Sequence, residues 1–427
     1  MPNYYIWTMG CQMNVADSDQ LGAQLEALGY AQAWSPEAAD IVVVNSCVVR
    51  QHAEDRVANK LSALNASRKA RPDQTIALMG CMVGPKTQDL RRRFPHVDVF
   101  MRPQDFEPLL EAARAKPAAE GCLPSLLELP VTGPTAFVNV IHGCDNFCTF
   151  CIVPYRRGRE RSRPLAEVVA EVESLVTRGV REVTLLGQKV DSYGQDLDAG
   201  VDLAGLLTAV NGVDGLDRIR FLTSYPLGVT DQLIDRIARL DKVCEHINIP
   251  VQSGDDGVLT AMHRGYTIAQ FRDRIDRIKD GIPGVSLSTD IIVGFSGEDE
   301  DAFQRTLDLL EEVRFDVVHV AAYSVRPGTI AARTLPDDIP VEVKKARLQR
   351  VEALQQRVAT ELNQRLCDRE VAVLVEGRKD GRWEGRTRTN KLVHFPAGAS
   401  DLRGEMAQVR VVGAGPWSLQ GDLISAG

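Results

Sequence analysis

The sequence has no apolar run long enough to cross a bilayer, and its start, Met1-Pro2-Asn3-Tyr4-Tyr5, carries no basic stretch followed by an apolar one. A membrane or secreted protein is therefore not expected. The expectation is a cytoplasmic monomer with no membrane partner. A net positive charge is also lacking: a formal net charge of −8 excludes a bulk polycation, so any contact with nucleic acid has to come from local patches. Nine cysteines occur without a secretion signal, which favours metal ligation over disulfides. What is present is the composition of a globular protein, 44% hydrophobic and 25% charged, on a 427-residue chain too long for one ordinary core.

The densest chemistry lies in Gly143-Cys144-Asp145-Asn146-Phe147-Cys148-Thr149-Phe150-Cys151, which follows the β-type run 136–141 and leads into Ile152-Val153-Pro154-Tyr155. Three thiolates spaced C-x3-C-x2-C can grip one face of an iron–sulfur cube, whereas closing the cube takes four. The fourth iron then stays open to an outside ligand, the pattern of enzymes that bind S-adenosylmethionine (SAM) on a cluster. Zinc is the alternative, but a compact structural zinc site wants a fourth Cys or His. His142, beside Gly143, would be strained in that role.

Ahead of this stretch, β-rich runs alternate with helical patterns, as in an open α/β domain. Tyr4–Thr8 leads to Cys11, Ile41–Asn45 to Cys47 and Thr75–Met79 to Cys81. Helices are expected from about Asp17-Ser18 and from His52 to Leu64. Ligands of open α/β sheets sit outside the carboxyl ends of the strands. Cys11, Cys47 and Cys81 should thus converge on one rim, each near a helix N-terminus that favours thiolate, and could hold a second cluster.

A Pro- and Leu-containing stretch, 116–134, reads as a linker. Beyond it, strands are expected at 136–141, 182–187, 218–222, 247–250, 289–294 and 317–320, separated by amphipathic helices such as Leu165–Arg178, Phe271–Lys279 and Ala302–Val313. Six strands with crossovers fit a partial (β/α)6 barrel, with its site at the carboxyl ends of the strands. A helix over about Val341–Cys367 follows, with Leu348, Val351, Leu354 and Leu362 on one face. The β-rich stretch from Glu370 to Ser425 has the length of a small five-stranded barrel of the OB kind. The fold class expected is α/β, divided at 1–117, 130–365 and 366–427.

These residues resemble a known family, the radical-SAM methylthiotransferases. The likeness rests on Gly10-Cys11-Gln12-Met13-Asn14, Asn45-Ser46-Cys47, Gly80-Cys81, the Cys144–Cys151 run, Gly187-Gln188, Val251-Gln252-Ser253-Gly254, Met262-His263-Arg264-Gly265-Tyr266-Thr267, Asp290-Ile291-Ile292-Val293-Gly294-Phe295 and Tyr323–Thr329. Gly10–Asn14 and Gly385–Val393 favour the branch acting on dimethylallyl-adenosine in tRNA. Lys189, Asp191, Tyr225 and Ser296 depart from the family pattern, which usually has Asn, Asn, His and Pro there.

The resemblance implies an N-terminal methylthiotransferase domain, a radical SAM barrel and a C-terminal TRAM domain. It also implies two 4Fe-4S clusters, at Cys144, Cys148 and Cys151 and at Cys11, Cys47 and Cys81, with two SAM molecules per turnover. No catalytic residue is expected beyond the cluster ligands. Gly187 and Gln188 are expected at SAM's amino group, and Asp290 with Gly294 under its adenine or ribose, although turns after strands and a helix cap at Asp290 would explain these equally. The partner is the anticodon loop of tRNA, whose splayed bases suit recognition, together with an unidentified electron donor and sulfur source. Phosphate contacts are expected from Arg156, Arg157 and Arg159, with Arg161 and Arg163 in the same run, and from Arg378, Lys379, Arg386, Arg388 and Lys391 around Trp383. The competing readings are the same chemistry on threonylcarbamoyladenosine or on a ribosomal-protein aspartate, and a noncatalytic iron–sulfur RNA-binding protein. Cys122, Cys244 and Cys367 are expected to be packing residues.

Overall fold

The structure, a computed structural model, describes residues 1–48, 51–115, 133–198, 200–398 and 400–426. Most of the expected linker, with Cys122, lies outside the described residues. The chain forms two compact units: residues 1–130 with 142–145 and 151–160, and residues 131–141 with 146–150 and 161–427.

The first unit is built on a parallel sheet of β1 (Asn3–Thr8), β2 (Ala31–Gln32), β3 (Ile41–Ser46), β4 (Thr75–Gly80) and β5 (Val99–Met101), in the order β2-β1-β3-β4-β5. Alternate residues of β3 and β4 point to opposite faces, and both faces are covered, as a parallel sheet requires. Val42, Val44, Ile76 and Leu78 pack with Val57, Leu61 and Leu64 of α2 (Gln51–Ala70). Ile41, Val43, Ala77 and Met79 pack with Leu21 and Leu25 of α1 (Gln12–Ala27) and with Leu109 and Leu110 of the helix Glu107–Arg114.

Helix α1 starts at Gln12, with Cys11 at its N-cap, rather than near Asp17-Ser18. Asn14, Asp17 and Ser18 are polar and resemble a loop in sequence, but they are buried. Their partners across the sheet replace the water that a loop would have used.

In the second unit, β6 (Thr135–Asn139), β7 (Glu182–Leu186) and β8 (Arg218–Phe221) form one parallel sheet, and β9 (His246–Asn248), β10 (Ser286–Val293) and β11 (Val317–Ala322) form another. A parallel bridge from Ile219 to Val243 joins them into the expected six-stranded open barrel. The helices Leu165–Thr177, Ile268–Gly281 and Glu300–Val313 lie within a few residues of expectation, and the last two begin at side-chain caps. Thr267 and Gln270 form a capping box and Asp299 caps the last of the three.

The helix Val341–Gln364 covers the barrel with a mixed face: Val351 and Val358 are buried, and so are Lys344 and Arg347. After it, β12 (Glu370–Lys379), β13 (Arg382–Thr387), β14 (Leu392–Pro396), β15 (Met406–Ala414) and β16 (Leu419–Ala426) close into a five-stranded barrel. Trp383 lies in its core with Val373, Phe395 and Val409. The ring is thus a packing residue, not a stacking platform. Cys367 packs against the same core, and Cys244 is buried beside Arg218 and Arg220.

The small barrel is fastened to the amino ends of the large barrel's strands by charge. Arg218 donates to the carbonyls of Arg386 (2.6 Å) and Ala372 (3.1 Å), and Arg220 to those of Arg388 and Thr387 (2.7 Å each). Arg220 is neutralised by Glu182 at 2.8 Å, with both side chains buried. Arg388 in turn pairs with Glu245 (2.7 Å), and Lys391 with Asp316 (2.5 Å).

Candidate functional site: two cysteine trios

Cys11, Cys47 and Cys81 follow β1, β3 and β4, which are neighbours in the sheet. Strands about 4.8 Å apart bring three such turns onto one rim, and the sulfurs of Cys11 and Cys47 lie within electrostatic reach of Cys81. All three are free thiols.

The motif residues around them are braces. Asn14 Nδ2 donates to Asn45 Oδ1 (2.8 Å) and to the Ser46 carbonyl (3.0 Å), while Asn45 Nδ2 donates to the Asn14 carbonyl (2.7 Å) and to Ser18 Oγ (2.9 Å). Ser46 Oγ donates to the Met79 carbonyl (2.6 Å) and accepts from the Met82 amide (3.2 Å). The Cys11 thiol donates to Asn14 Oδ1 at 3.3 Å. Gly80, at φ +98°, has to be glycine, since a Cβ there would lie 2.5 Å from Asn45 Oδ1 and from the Ser46 carbonyl oxygen.

The expected helix N-terminus at every cysteine is found only in part. Cys11 caps α1, but Cys81 leads into a turn, and the next helix begins at Gln88. Burial pushes the Cys81 thiol up to about 11, and what opposes it is a nearby cation, Arg157. Arg157 is therefore not held out for phosphate. Its neighbour Arg156 lies over Gly84, and Arg159 is exposed and pairs with Asp145 at 2.6 Å.

In the second trio, Cys144 and Cys151 belong to the first unit and Cys148 to the second. On the first side, the Cys144 amide donates to the Gly158 carbonyl at 3.1 Å. Gly143, at φ +75°, leaves room for the Arg159 carbonyl, which would lie 2.0 Å from a Cβ.

On the other side, Thr149 is fixed by its amide to the Met262 carbonyl (3.1 Å), by its hydroxyl to the Ala261 carbonyl (2.8 Å) and by its carbonyl to the Ala331 amide (2.8 Å). Arg264 Nη1 donates to Cys148 Sγ at 3.4 Å, Nη2 to the Pro250 carbonyl at 2.8 Å and Nε to the Tyr266 hydroxyl at 3.2 Å. Its guanidinium carbon is 5.0 Å from the Tyr225 ring centre and 5.4 Å from that of Tyr266. A charged donor makes a stronger and more directional hydrogen bond than a neutral one, so it fixes where the sulfur points. Arg264 stands in a quoted motif, but no local spacing links it to a cysteine more than a hundred residues earlier. Replacing Arg264 with Gln is expected to lower iron retention at the Cys144–Cys151 site about 10- to 100-fold, read as iron and sulfide content after anaerobic rebuilding. Unchanged content would count against the contact.

Of the expected SAM-side residues, Gly187, Gln188 and Gly294 lie just past the carboxyl ends of barrel strands. Gly187 is packed so that a Cβ would meet Ile141 at 2.4 Å, and Gln188 follows it. Asp290 is not a helix cap: it lies within β10 and accepts from Asn248 Nδ2 at 3.3 Å. Gly294 is covered by Lys344, whose Cγ would lie 2.3 Å from a Cβ there, and its amide donates to Glu298 Oε2 at 2.5 Å.

Three of the four departures from the family pattern touch one another. Lys189 lies 5.4 Å from the Tyr225 ring centre, and Asp191 Oδ1 accepts from the Tyr225 amide at 2.6 Å. Ser296, the fourth, is buried. In the small barrel, Arg378 and Lys379 are exposed, whereas Arg388 and Lys391 are spent on the ion pairs that hold the barrels together and Arg386 pairs with Glu376 at 3.4 Å.

Neither trio includes a fourth residue that would make a single-ion site, and among the described residues no group of three His, Cys, Asp or Glu side chains is arranged to hold one metal ion. The donors are soft and thiol-only, each trio has an arginine at one of its sulfurs, and Arg157 Nη1 is buried without a hydrogen-bond partner among the described residues. That donor set fits sulfur-rich, anionic clusters.

Three family models match: "Radical SAM superfamily" over residues 138–310, "Uncharacterized protein family UPF0004" over 3–102 and "TRAM domain" over 368–424. Fold and site thus define a radical SAM enzyme carrying a TRAM domain. In fold, the chain is similar to the radical SAM methyltransferase TsrM from Kitasatospora setae (TM-score 0.57, 14% identity, 78% of this chain and 77% of that one) and to the cobalamin-dependent radical enzyme OxsB (TM-score 0.52, 11% identity, 83% and 56%). It is 47% identical over 426 residues, 100% of this chain and 99% of the relative, to the tRNA-2-methylthio-N(6)-dimethylallyladenosine synthase of Dehalococcoides mccartyi (strain CBDB1). It is 48% identical, over 98% of this chain and 89% of the relative, to the protein of that name from Roseiflexus sp. (strain RS-1). The chain belongs to the family of tRNA-2-methylthio-N(6)-dimethylallyladenosine synthases. Among the described residues no helix is long and apolar enough to cross a membrane.

Proposed function

We propose that this chain methylthiolates C2 of N(6)-dimethylallyladenosine beside the anticodon of tRNA, giving the 2-methylthio nucleoside. The observation that carries the reading is the pair of separate, arginine-bordered cysteine trios in a chain aligned end to end with relatives of that name. Cys144, Cys148 and Cys151 would hold one 4Fe-4S cluster with SAM, and Cys11, Cys47 and Cys81 a second. When bound, these groups supply one-electron cleavage of SAM and a sulfur for transfer, which an adenine C2–H bond requires because it offers neither an acidic proton nor a leaving group.

The chain's own part is placement. Arg264 donates to Cys148 and fixes its sulfur, and Asn14, Asn45 and Ser46 fix the turns that present Cys11, Cys47 and Cys81. Gly187 and Gln188 at the end of β7, with Asp290 inside β10, are the SAM-side candidates. Gly294 acts behind them, keeping the Glu298 and Lys344 layer close. The RNA contacts fall to the cations left exposed, Arg378, Lys379 and Arg382 on one hairpin of the TRAM barrel, with Arg159 near the first unit's cysteines. Turnover draws on two SAM molecules, an electron donor and a sulfur source.

The test is mass spectrometry of nucleosides from tRNA incubated with rebuilt, reduced protein and SAM. A methylthio increment on dimethylallyladenosine supports the reading. An increment only on threonylcarbamoyladenosine, or on a ribosomal-protein aspartate, reassigns the substrate.

A further inference from the structure

Arg157 ends the short helix Val153–Arg157, and its side chain is 2% exposed. Its Nη2 donates at 3.0 Å to Oδ2 of Asp17, which is fully buried and whose Oδ1 accepts from Gln104 at 3.2 Å. A buried ion pair contributes little to stability by itself, because desolvation offsets the attraction. The surroundings of this pair point to another role. The guanidinium lies within electrostatic reach of Cys81 and Cys11, and its Nη1 is buried with no hydrogen-bond partner among the described residues. A buried charged donor without an acceptor is unfavourable, and the penalty vanishes if an acceptor is present whenever the site is loaded. At a rim made of thiols, that acceptor is sulfur.

We infer that Arg157, anchored by Asp17, is the positioning residue of the Cys11, Cys47 and Cys81 centre, donating from Nη1 to a sulfur of the iron–sulfur cluster held there. The inference rests on the reading that this trio binds a cluster. Hydrogen bonds to sulfur and nearby charge set a cluster's potential. Arg157 favours the reduced, more negative state, and Asp17 opposes it from the far side of the guanidinium.

The test uses the full chain with Cys144, Cys148 and Cys151 changed to Ala, so that one centre remains, rebuilt anaerobically and titrated redox-wise with electron paramagnetic resonance as the readout. Arg157→Gln is expected to shift the oxidised-to-reduced equilibrium at least tenfold toward the oxidised form, a change of about 59 mV to more negative potential for a one-electron couple. Asp17→Asn is expected to shift it the opposite way, and Arg157→Lys to fall between the parent and Arg157→Gln. A role confined to packing gives no such ordering of signs. If Arg157→Gln does not keep its cluster, Asp17→Asn decides: a positive shift at normal iron content supports the inference, and none overturns it. Parent-like potentials in all variants with full iron overturn the role of Arg157 alone. A parent protein that binds no iron overturns the cluster reading with it.

Discussion

Changing Cys144, Cys148 and Cys151 together to Ala is expected to reduce both 5′-deoxyadenosine release and methylthio product to background, whereas the same change at Cys11, Cys47 and Cys81 removes the product and leaves 5′-deoxyadenosine release in place. The asymmetry follows from the two sites' roles. On the proposed reading, Cys144, Cys148 and Cys151, with Arg264 donating to Cys148, would serve SAM cleavage, and Cys11, Cys47 and Cys81, on the rim of the α/β sheet, would serve sulfur delivery. Each triple variant should also lose iron while keeping the parent's circular dichroism, because the turns are held by Asn14, Asn45, Ser46 and Thr149 rather than by the thiols. Liquid chromatography of both products from one reaction is the measurement. Equal loss of 5′-deoxyadenosine in both variants would refute the division of labour.

The second large effect is on stability. Arg220→Met is expected to destabilise the second unit by about 3 kcal/mol, the lower end of the cost of breaking a buried pair, because Arg218 still lies 3.9 Å from Glu182. Glu182 would remain 5% exposed without its 2.8 Å partner, and the Thr387 and Arg388 carbonyls would lose their donors. Adding Glu182→Leu should recover little of the loss, since it leaves the buried Arg218 without the carboxylate 3.9 Å away while the carbonyls stay unsatisfied. The urea midpoints of parent, single and double variants measure this. A single variant as stable as the parent would show that the two barrels are held together by other contacts.

The strands and the cysteines at their ends were legible in the sequence because both signals are local: Ile41–Asn45 and Thr75–Met79 are β-branched and apolar runs, each ending at a cysteine. So was the closed barrel after Glu370, where short alternating strands are separated by Gly turns. What was not legible was the fate of charge. Arg157 looked like a phosphate contact until it met Asp17, 140 positions away, and Arg388 and Lys391 until they met Glu245 and Asp316. Long-range pairing has no period, so a run of arginines reads the same whether it faces solvent or a buried carboxylate. The same reason hid Asn14, Asp17 and Ser18 inside α1 and gave Arg264 no role beyond its motif. The cap alternative for Asp290 falls because the residue lies inside a strand, where its carboxylate accepts from Asn248 on the neighbouring strand β9, a pairing with no local signal.

The central claim, radical substitution at adenine C2, is tested most directly with tRNA carrying deuterium at that carbon. The account predicts that single-turnover reaction with the rebuilt protein and SAM places the deuterium in 5′-deoxyadenosine, in step with formation of the methylthio nucleoside. Methylthio product accompanied by 5′-deoxyadenosine free of deuterium would contradict it.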